Sequence, residues 1–147
     1  MTDIRAVRHV GIVVSDMERS LQFYRDLLGL EVARDLDESG AYLDAMLALE
    51  SAHVRTVKLR VPPGETLVEL LEFASPATEQ RVPSLTELGP THLALTVSDL
   101  DDLYARLEAV GVRFTAPPQT SPDGAARVTF CVDPDGTPIE LVQELAP

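Results

Sequence analysis

Arg8-His9-Val10-Gly11-Ile12-Val13-Val14-Ser15-Asp16 and Thr91-His92-Leu93-Ala94-Leu95-Thr96-Val97-Ser98-Asp99 are one strand pattern written twice. In both, an Asp follows the His by seven residues. The first copy closes in Leu67-Val68-Glu69-Leu70-Leu71 and the second in Pro138-Ile139-Glu140-Leu141-Val142. Each copy therefore carries one His and one Glu at matching places. A duplicated fold can bring two imidazoles and two carboxylates to one point, which is the donor set of a divalent-metal site.

Strand parity supports that reading. Side chains alternate between the faces of a strand. Gly11, Val13 and Ser15 share a face with His9, while Val10, Ile12 and Val14 point away. Ala94, Thr96 and Ser98 share a face with His92, while Leu93, Leu95 and Val97 point away. One face is bulky and apolar and is expected to pack under helices. The other begins with His and continues with small or polar residues, as a cavity wall does. Glu69 and Glu140 stand within apolar strand sequence, where a carboxylate is costly to bury without a partner or a metal. One strand His is most often a hydrogen-bonded structural residue, and one strand Glu an exposed edge position. Four residues matching in a duplicated frame are harder to dismiss.

Around these strands the chain reads as two β-α-β-β-β modules, module one over 6–74 and module two over 91–147. The linker 75–90 holds three prolines and a glycine. Ser15 with Glu18, and Ser98 with Asp101, fit capping boxes. The helices Met17–Leu28 and Leu100–Val110 stop at Gly29 and Gly111. Further strands are expected over Leu30–Ala33, Val54–Val61 and Thr66–Phe73 in module one. In module two they are expected over Val112–Thr115, Ala126–Val132 and Thr137–Gln143. His9 to Glu69 is 60 residues and His92 to Glu140 is 48. The extra length falls around Gly40–Ser51, where Tyr42, Leu43, Met46, Leu47 and Leu49 have helical spacing. An inserted helix there would cover one side of a pocket or fill core. The loop Pro117–Ala125 would be a lid or a turn-rich connection.

Composition bounds the function. The chain has 147 residues, 45% of them hydrophobic, enough for one compact domain or two small modules. No apolar run reaches the roughly 20 residues of a membrane helix, and Met1–Arg5 lacks a signal peptide's apolar segment. Cys131 is the single cysteine, which excludes an intrachain disulfide and fits a reducing, cytoplasmic setting. A net charge of −12 without a basic run argues against nucleic acid. Two His and two Glu form a hard-to-borderline donor set suited to Mn, Fe(II), Co, Ni or Zn. Four such donors leave room for two adjacent substrate oxygens.

The sequence resembles the vicinal oxygen chelate superfamily of glyoxalases, methylmalonyl-CoA epimerases and extradiol dioxygenases. The carriers are His9–Asp16, Phe23-Tyr24-Arg25-Asp26-Leu27-Leu28-Gly29-Leu30, Val68–Leu71, His92–Leu95, and Asp133-Pro134-Asp135-Gly136 followed by Ile139–Val142. The resemblance covers nearly the whole chain. It implies an α+β fold in one domain, 1–147, of two tandem βαβββ modules forming an incomplete, metal-centred β-barrel, usually in a homodimer. It implies His9, Glu69, His92 and Glu140 as metal ligands. It further implies an epimerase or isomerase, methylmalonyl-CoA epimerase-like or cyclitol-ketone epimerase-like, that abstracts a proton α to a metal-bound carbonyl of a small-molecule substrate. Glu140 is the leading base and Glu69 the candidate for the opposite face, with His53 as a substitute. The methylmalonyl-CoA epimerase branch carries an acid on the strand before the second ligand, whereas Ala52–Arg60 has none. The alternatives are a glyoxalase I-like lyase, with Arg55, Lys58, Arg60 and Arg127 available to glutathione, an Fe(II) extradiol dioxygenase, and a non-catalytic binding or resistance protein.

Overall fold

A computed structural model describes residues 4–81 and 83–145, so Met1, Thr2, Asp3, Val82 of the linker, and Ala146 and Pro147 of module two lie outside it. Chain contacts divide into two units, split between Gln80 and Arg81. Unit one contains β1 (His9–Val13), α1 (Met17–Leu21, continued as a π-helical turn over Gln22–Leu27), β2 (Glu31–Ser39), α2 (Ala41–Leu47), β3 (His53–Arg60) and β4 (Leu67–Ser75). Unit two contains β5 (Leu93–Thr96), α3 (Leu100–Ala109), β6 (Gln119–Thr120), β7 (Ala126–Val132) and β8 (Pro138–Glu144). The fold is α+β in two tandem modules, as expected. Module one carries one helix more than βαβββ. Each module forms its own open four-stranded sheet, ordered β1-β4-β3-β2 and β5-β8-β7-β6.

The two sheets share one wiring. The first and last strands of each module pair in parallel, and the other strands pair antiparallel. In unit one Val68, Leu70, Val57, Leu59, Ile12 and Val14 are buried together with Met17 and Leu21 of α1. In unit two Ile139, Leu141 and Cys131 are buried, as are Leu100, Leu103 and Leu107 of α3. Ile12 and Val14 are among the bulky positions that parity turned away from His9, whereas Leu93, Leu95 and Val97 of module two are half-buried. Gly29 (φ 79) and Gly111 (φ 86) end the helices in left-handed backbone, which glycine adopts without steric cost.

Each helix begins one residue later than a capping box at Ser15 or Ser98 requires. Asp16 caps α1 by accepting from Arg19 N at 2.9 Å, and Asp99 caps α3 by accepting from Asp102 N at 3.0 Å. Ser15 instead accepts from the Arg19 guanidinium. A second cap comes from the sheet. Glu72 Oε1 accepts from Met17 N at 3.2 Å, and Gln143 Oε1 from Leu100 N at 2.9 Å. Glu72 and Gln143 each stand three residues beyond the strand glutamate of their module. The repeat Glu69-x-x-Glu72, Glu140-x-x-Gln143 was readable in the sequence and ties the start of each helix to its last strand.

One strand expectation is corrected, and two open alternatives narrow. Val112–Thr115 is no strand: Phe114 makes one isolated bridge to Cys131, and β6 forms instead at Gln119–Thr120. The segment follows Gly111 directly and runs beside β7, with Val132 N donating to Arg113 O at 3.1 Å and Thr115 N to Phe130 O at 2.9 Å, without extending into a ladder. Pro117–Ala125 is a turn-rich connection, with a hairpin turn closed by Ser121 N to Ala126 O at 2.8 Å and by Asp123 Oδ1 accepting from Ser121 Oγ and Ala125 N. Those donors hold the Asp123 carboxyl below the usual carboxylate range. The inserted helix exists as α2, but it buries no residue, with Tyr42 79% and Met46 66% exposed, so it is not core filler.

Two outcomes follow. Asp16→Ala and Asp99→Ala should each cost about 1 kcal/mol in urea unfolding, whereas Ser98→Ala should stay within about 0.5 kcal/mol. Burial pushes the Cys131 thiol from 9.0 up to about 12. The folded state thus favours the protonated thiol. This contribution to stability is complete below pH 9 and fades as pH rises towards 12. An aromatic disulfide reagent at pH 8 should react with Cys131 only after denaturation, and Cys131→Ala should remove that part of the alkaline destabilisation.

Candidate metal centre

The parallel register of β1 and β4 aligns His9 with Leu67, so Glu69 is the next residue on that face, one diagonal step away. His9 Nε2 and Glu69 Oε2 stand 2.9 Å apart. In module two Leu93 aligns with Ile139, which puts His92 level with Pro138 and Glu140 on the same diagonal. His92 Nε2 and Glu140 Oε2 stand 3.2 Å apart. One register rule thus builds both pairs. Gly11 lies beside Glu69 in the ladder and presents no side chain over it.

The pairs differ in their surroundings. The Glu69 side chain is 11% exposed and the Glu140 side chain 23%. His92 is oriented through its other nitrogen, with Nδ1 2.9 Å from Thr91 Oγ1. Its ring also meets Phe130 edge-on at 5.3 Å. Such outer contacts fix which nitrogen faces a ligand.

The donor spacing fits a metal. Two N or O donors held at roughly 2.1 Å and at right angles lie about 3.0 Å from each other. Both His–Glu separations match that edge. Among the described residues no three His, Cys, Asp or Glu gather in a metal-sized group. What is brought together is a pair in each unit.

Other sequence-picked residues fall elsewhere. His53 and Arg55 alternate with Val54 and Thr56 along β3, and so project to the helix-bearing face, away from Glu69. His53 Nε2 contacts Asp37 at 2.6 Å on that face. Together with Ser15, Asp35 and Glu72 these residues line an open cavity of about 530 Å³. Arg55 bridges Asp35 at 2.8 Å and Glu18 at 2.7 Å; these bonds raise its pKa further, and Arg55 in turn lowers that of Asp35. Arg60 pairs with Glu31 and Arg127 with Asp101. Three of the four cations considered for an anionic substrate are thus engaged by carboxylates. Lys58 is the exception. It stands directly opposite Glu69 in the β3–β4 ladder, on the same face.

Tyr24 is fully buried against Phe23, with ring centroids 5.0 Å apart, so it is packing. Glu38 was missed. It shares the Glu69 face two strands over, and Thr56 donates to its carboxylate at 2.7 Å. Reading β2 as ending at Ala33 hid it; the alternation of Leu36 and Glu38 with Asp35 and Asp37 was the available signal.

Residues 6–141 match the model of the Glyoxalase/Bleomycin resistance protein/Dioxygenase superfamily. A 2-epi-5-epi-valiolone epimerase of Actinomyces sp is 33% identical, over 93% of this chain and 78% of that protein. A lactoylglutathione lyase of Pseudomonas aeruginosa is 31% identical, over 92% of this chain and 80% of that one. A superfamily member from Sphaerobacter thermophilus is 34% identical with TM-score 0.69, covering 96% and 98% of the two chains. A glyoxalase family protein from Bacillus cereus, 24% identical, shares the fold with TM-score 0.87 over 99% of each chain. No helix among the described residues is long and apolar enough to cross a membrane. With its duplicated module and its repeated His–Glu diagonal, this chain belongs to the Glyoxalase/Bleomycin resistance protein/Dioxygenase superfamily, which includes epimerases and lactoylglutathione lyases.

Proposed function

We propose that this protein is a divalent-metal-dependent epimerase or isomerase that moves a proton at the carbon beside a carbonyl. The observation that carries this reading is the matched pair of His–Glu contacts, at 2.9 and 3.2 Å. His9, Glu69, His92 and Glu140 would hold the metal, two donors from each module. When bound, the metal supplies a Lewis acid that lowers the cost of removing the neighbouring C–H proton.

The chain's own groups then divide the work. Glu140 is the more open of the two carboxylates and is the leading base, taking the proton on a carboxylate oxygen and returning it. Glu69, buried behind its strand neighbours, is the candidate for the opposite face. Thr91 and Phe130 hold the His92 ring in place. The epimerase relative supports this reading. A second reading, isomerisation of a thiol hemithioacetal, is supported by the lactoylglutathione lyase relatives and uses the same donors and base. The presence of Glu69 as a fourth donor argues against a two-His-one-carboxylate dioxygenase. The complete donor set argues against a binding-only role. A single domain over 1–147, a homodimer and a cytoplasmic setting belong to the same proposal.

Two measurements check it. Manganese or cobalt titration should show His9→Ala and His92→Ala losing more affinity than the roughly 10–100-fold that outer contacts are worth. Unchanged affinity in both variants would remove the metal centre. Metal-loaded protein in D2O should exchange the α-proton of one member of a panel of cyclitol ketones, methylmalonyl-CoA and the methylglyoxal–glutathione adduct. Glu140→Gln should slow that exchange by about 100-fold or more, the upper part of what general bases contribute. Exchange that is independent of both metal and Glu140 would refute the mechanism.

A further inference from the structure

The cross-strand register of sheet one places four residues on a single rung of one face: Gly11 on β1, Glu69 on β4, Lys58 on β3 and Arg34 on β2. Arg34 and Lys58 are direct cross-strand partners. Neither has an ion pair or side-chain hydrogen bond among the described residues. In a chain with 24 acidic residues against 12 basic ones, two adjacent cations that form no ion pair stand out, with Glu69 the cross-strand neighbour on the far side of Lys58. Every other strand cation weighed for substrate binding, Arg55, Arg60 and Arg127, has a carboxylate partner. Like charges directly opposite across two strands are destabilising, and an anion placed between them reverses the sign of that interaction. Lys58 is also half-buried, which strengthens its hold on such an anion.

From this geometry we propose that Lys58 and Arg34 form an anion subsite for the substrate of the Glu69 centre. The inference rests on the proposed metal-dependent reading and narrows its substrate class. Neighbouring strands are about 4.8 Å apart, so the two cations stand roughly 5 and 10 Å along the rung from Glu69. A carbonyl compound held at Glu69 therefore carries a phosphate or carboxylate a few bonds from its carbonyl. Gly11 closes the other end of the rung without a side chain, so the anionic end of the substrate runs towards β2. The subsite belongs to module one alone. At the equivalent rung of module two, Ala94, Glu140 and Phe130 align, and no cation is present.

The test uses a matched pair of probes, dihydroxyacetone phosphate and dihydroxyacetone, which differ only in the phosphate. Dihydroxyacetone sulfonate analogues and acetoacetate against acetone separate phosphate from carboxylate preference. Binding is measured by calorimetry on manganese-loaded and metal-free protein. Wild-type protein should bind the phosphorylated probe at least about tenfold more tightly, the minimum for one charge-assisted contact. Lys58→Met and Arg34→Gln should each erode that preference, and the double variant should abolish it. Lys58→Arg should keep it, and manganese affinity should not fall in any of them. Equal binding of the two probes by wild-type protein, or a preference that survives in the double variant, would overturn the subsite while leaving the metal reading intact. Failure to bind manganese alongside a Lys58-dependent phosphate preference would sink the metal reading and uphold the subsite.

Discussion

A carboxylate buried on an apolar strand must meet a group that offsets its lost hydration, and Glu69 meets that requirement through the parallel pairing of β1 with β4. The rest of the architecture depends on this contact. Because β1 and β4 run in register, the imidazole of His9 arrives one diagonal step from the carboxylate. Because side chains alternate, the residues between them turn to the other face and build the core under α1. Because Glu72 lies three residues beyond Glu69, it points to that other face and accepts from the first amide of α1. One strand thus fixes a donor pair on one side and a helix on the other. Unit two repeats the arrangement with Glu140, His92 and Gln143.

The modules are alike in this frame and unlike in what surrounds it. Module one has a nine-residue β2, an added helix α2 and a rung of cations beside its glutamate. Module two has a two-residue β6, a tight hairpin and an aromatic ring against its histidine. Glu69 is nearly enclosed while Glu140 keeps access to solvent. Duplication accounts for the shared His–Glu pair, and the divergence of the flanking strands gives the two carboxylates different exposure. The exposed Tyr42 and Met46 of α2 belong to the divergent part.

Much of this was legible along the chain. The duplicated His and Glu, the parity of their strands, the glycine stops and the inserted helix all follow from local periodicity and turn chemistry, and each stands where it was expected. Errors arose where a choice depended on distant residues. Ser15 and Asp16 are both good caps, and the entry of the chain from β1 decided for Asp16. Val112–Thr115 has strand-like composition, but its contacts to β7 through Arg113, Phe114 and Thr115 amount to one isolated bridge and no ladder. Glu38 lay hidden because β2 continues for six residues past Ala33, held by its pairing with β3.

The charges draw the same line. Sequence alone supplied Arg55, Lys58, Arg60 and Arg127 as equivalent cations. Only cross-strand register separated them, giving Arg55 to Asp35 and Glu18, Arg60 to Glu31, and Lys58 to the face of Glu69 beside Arg34. By itself the sequence determined which residues share a face of their own strand, because alternation is a property of a single strand. Which strand lies alongside, and so which charge meets which, was decided by the tertiary structure, because register is set by pairing between segments far apart in the chain.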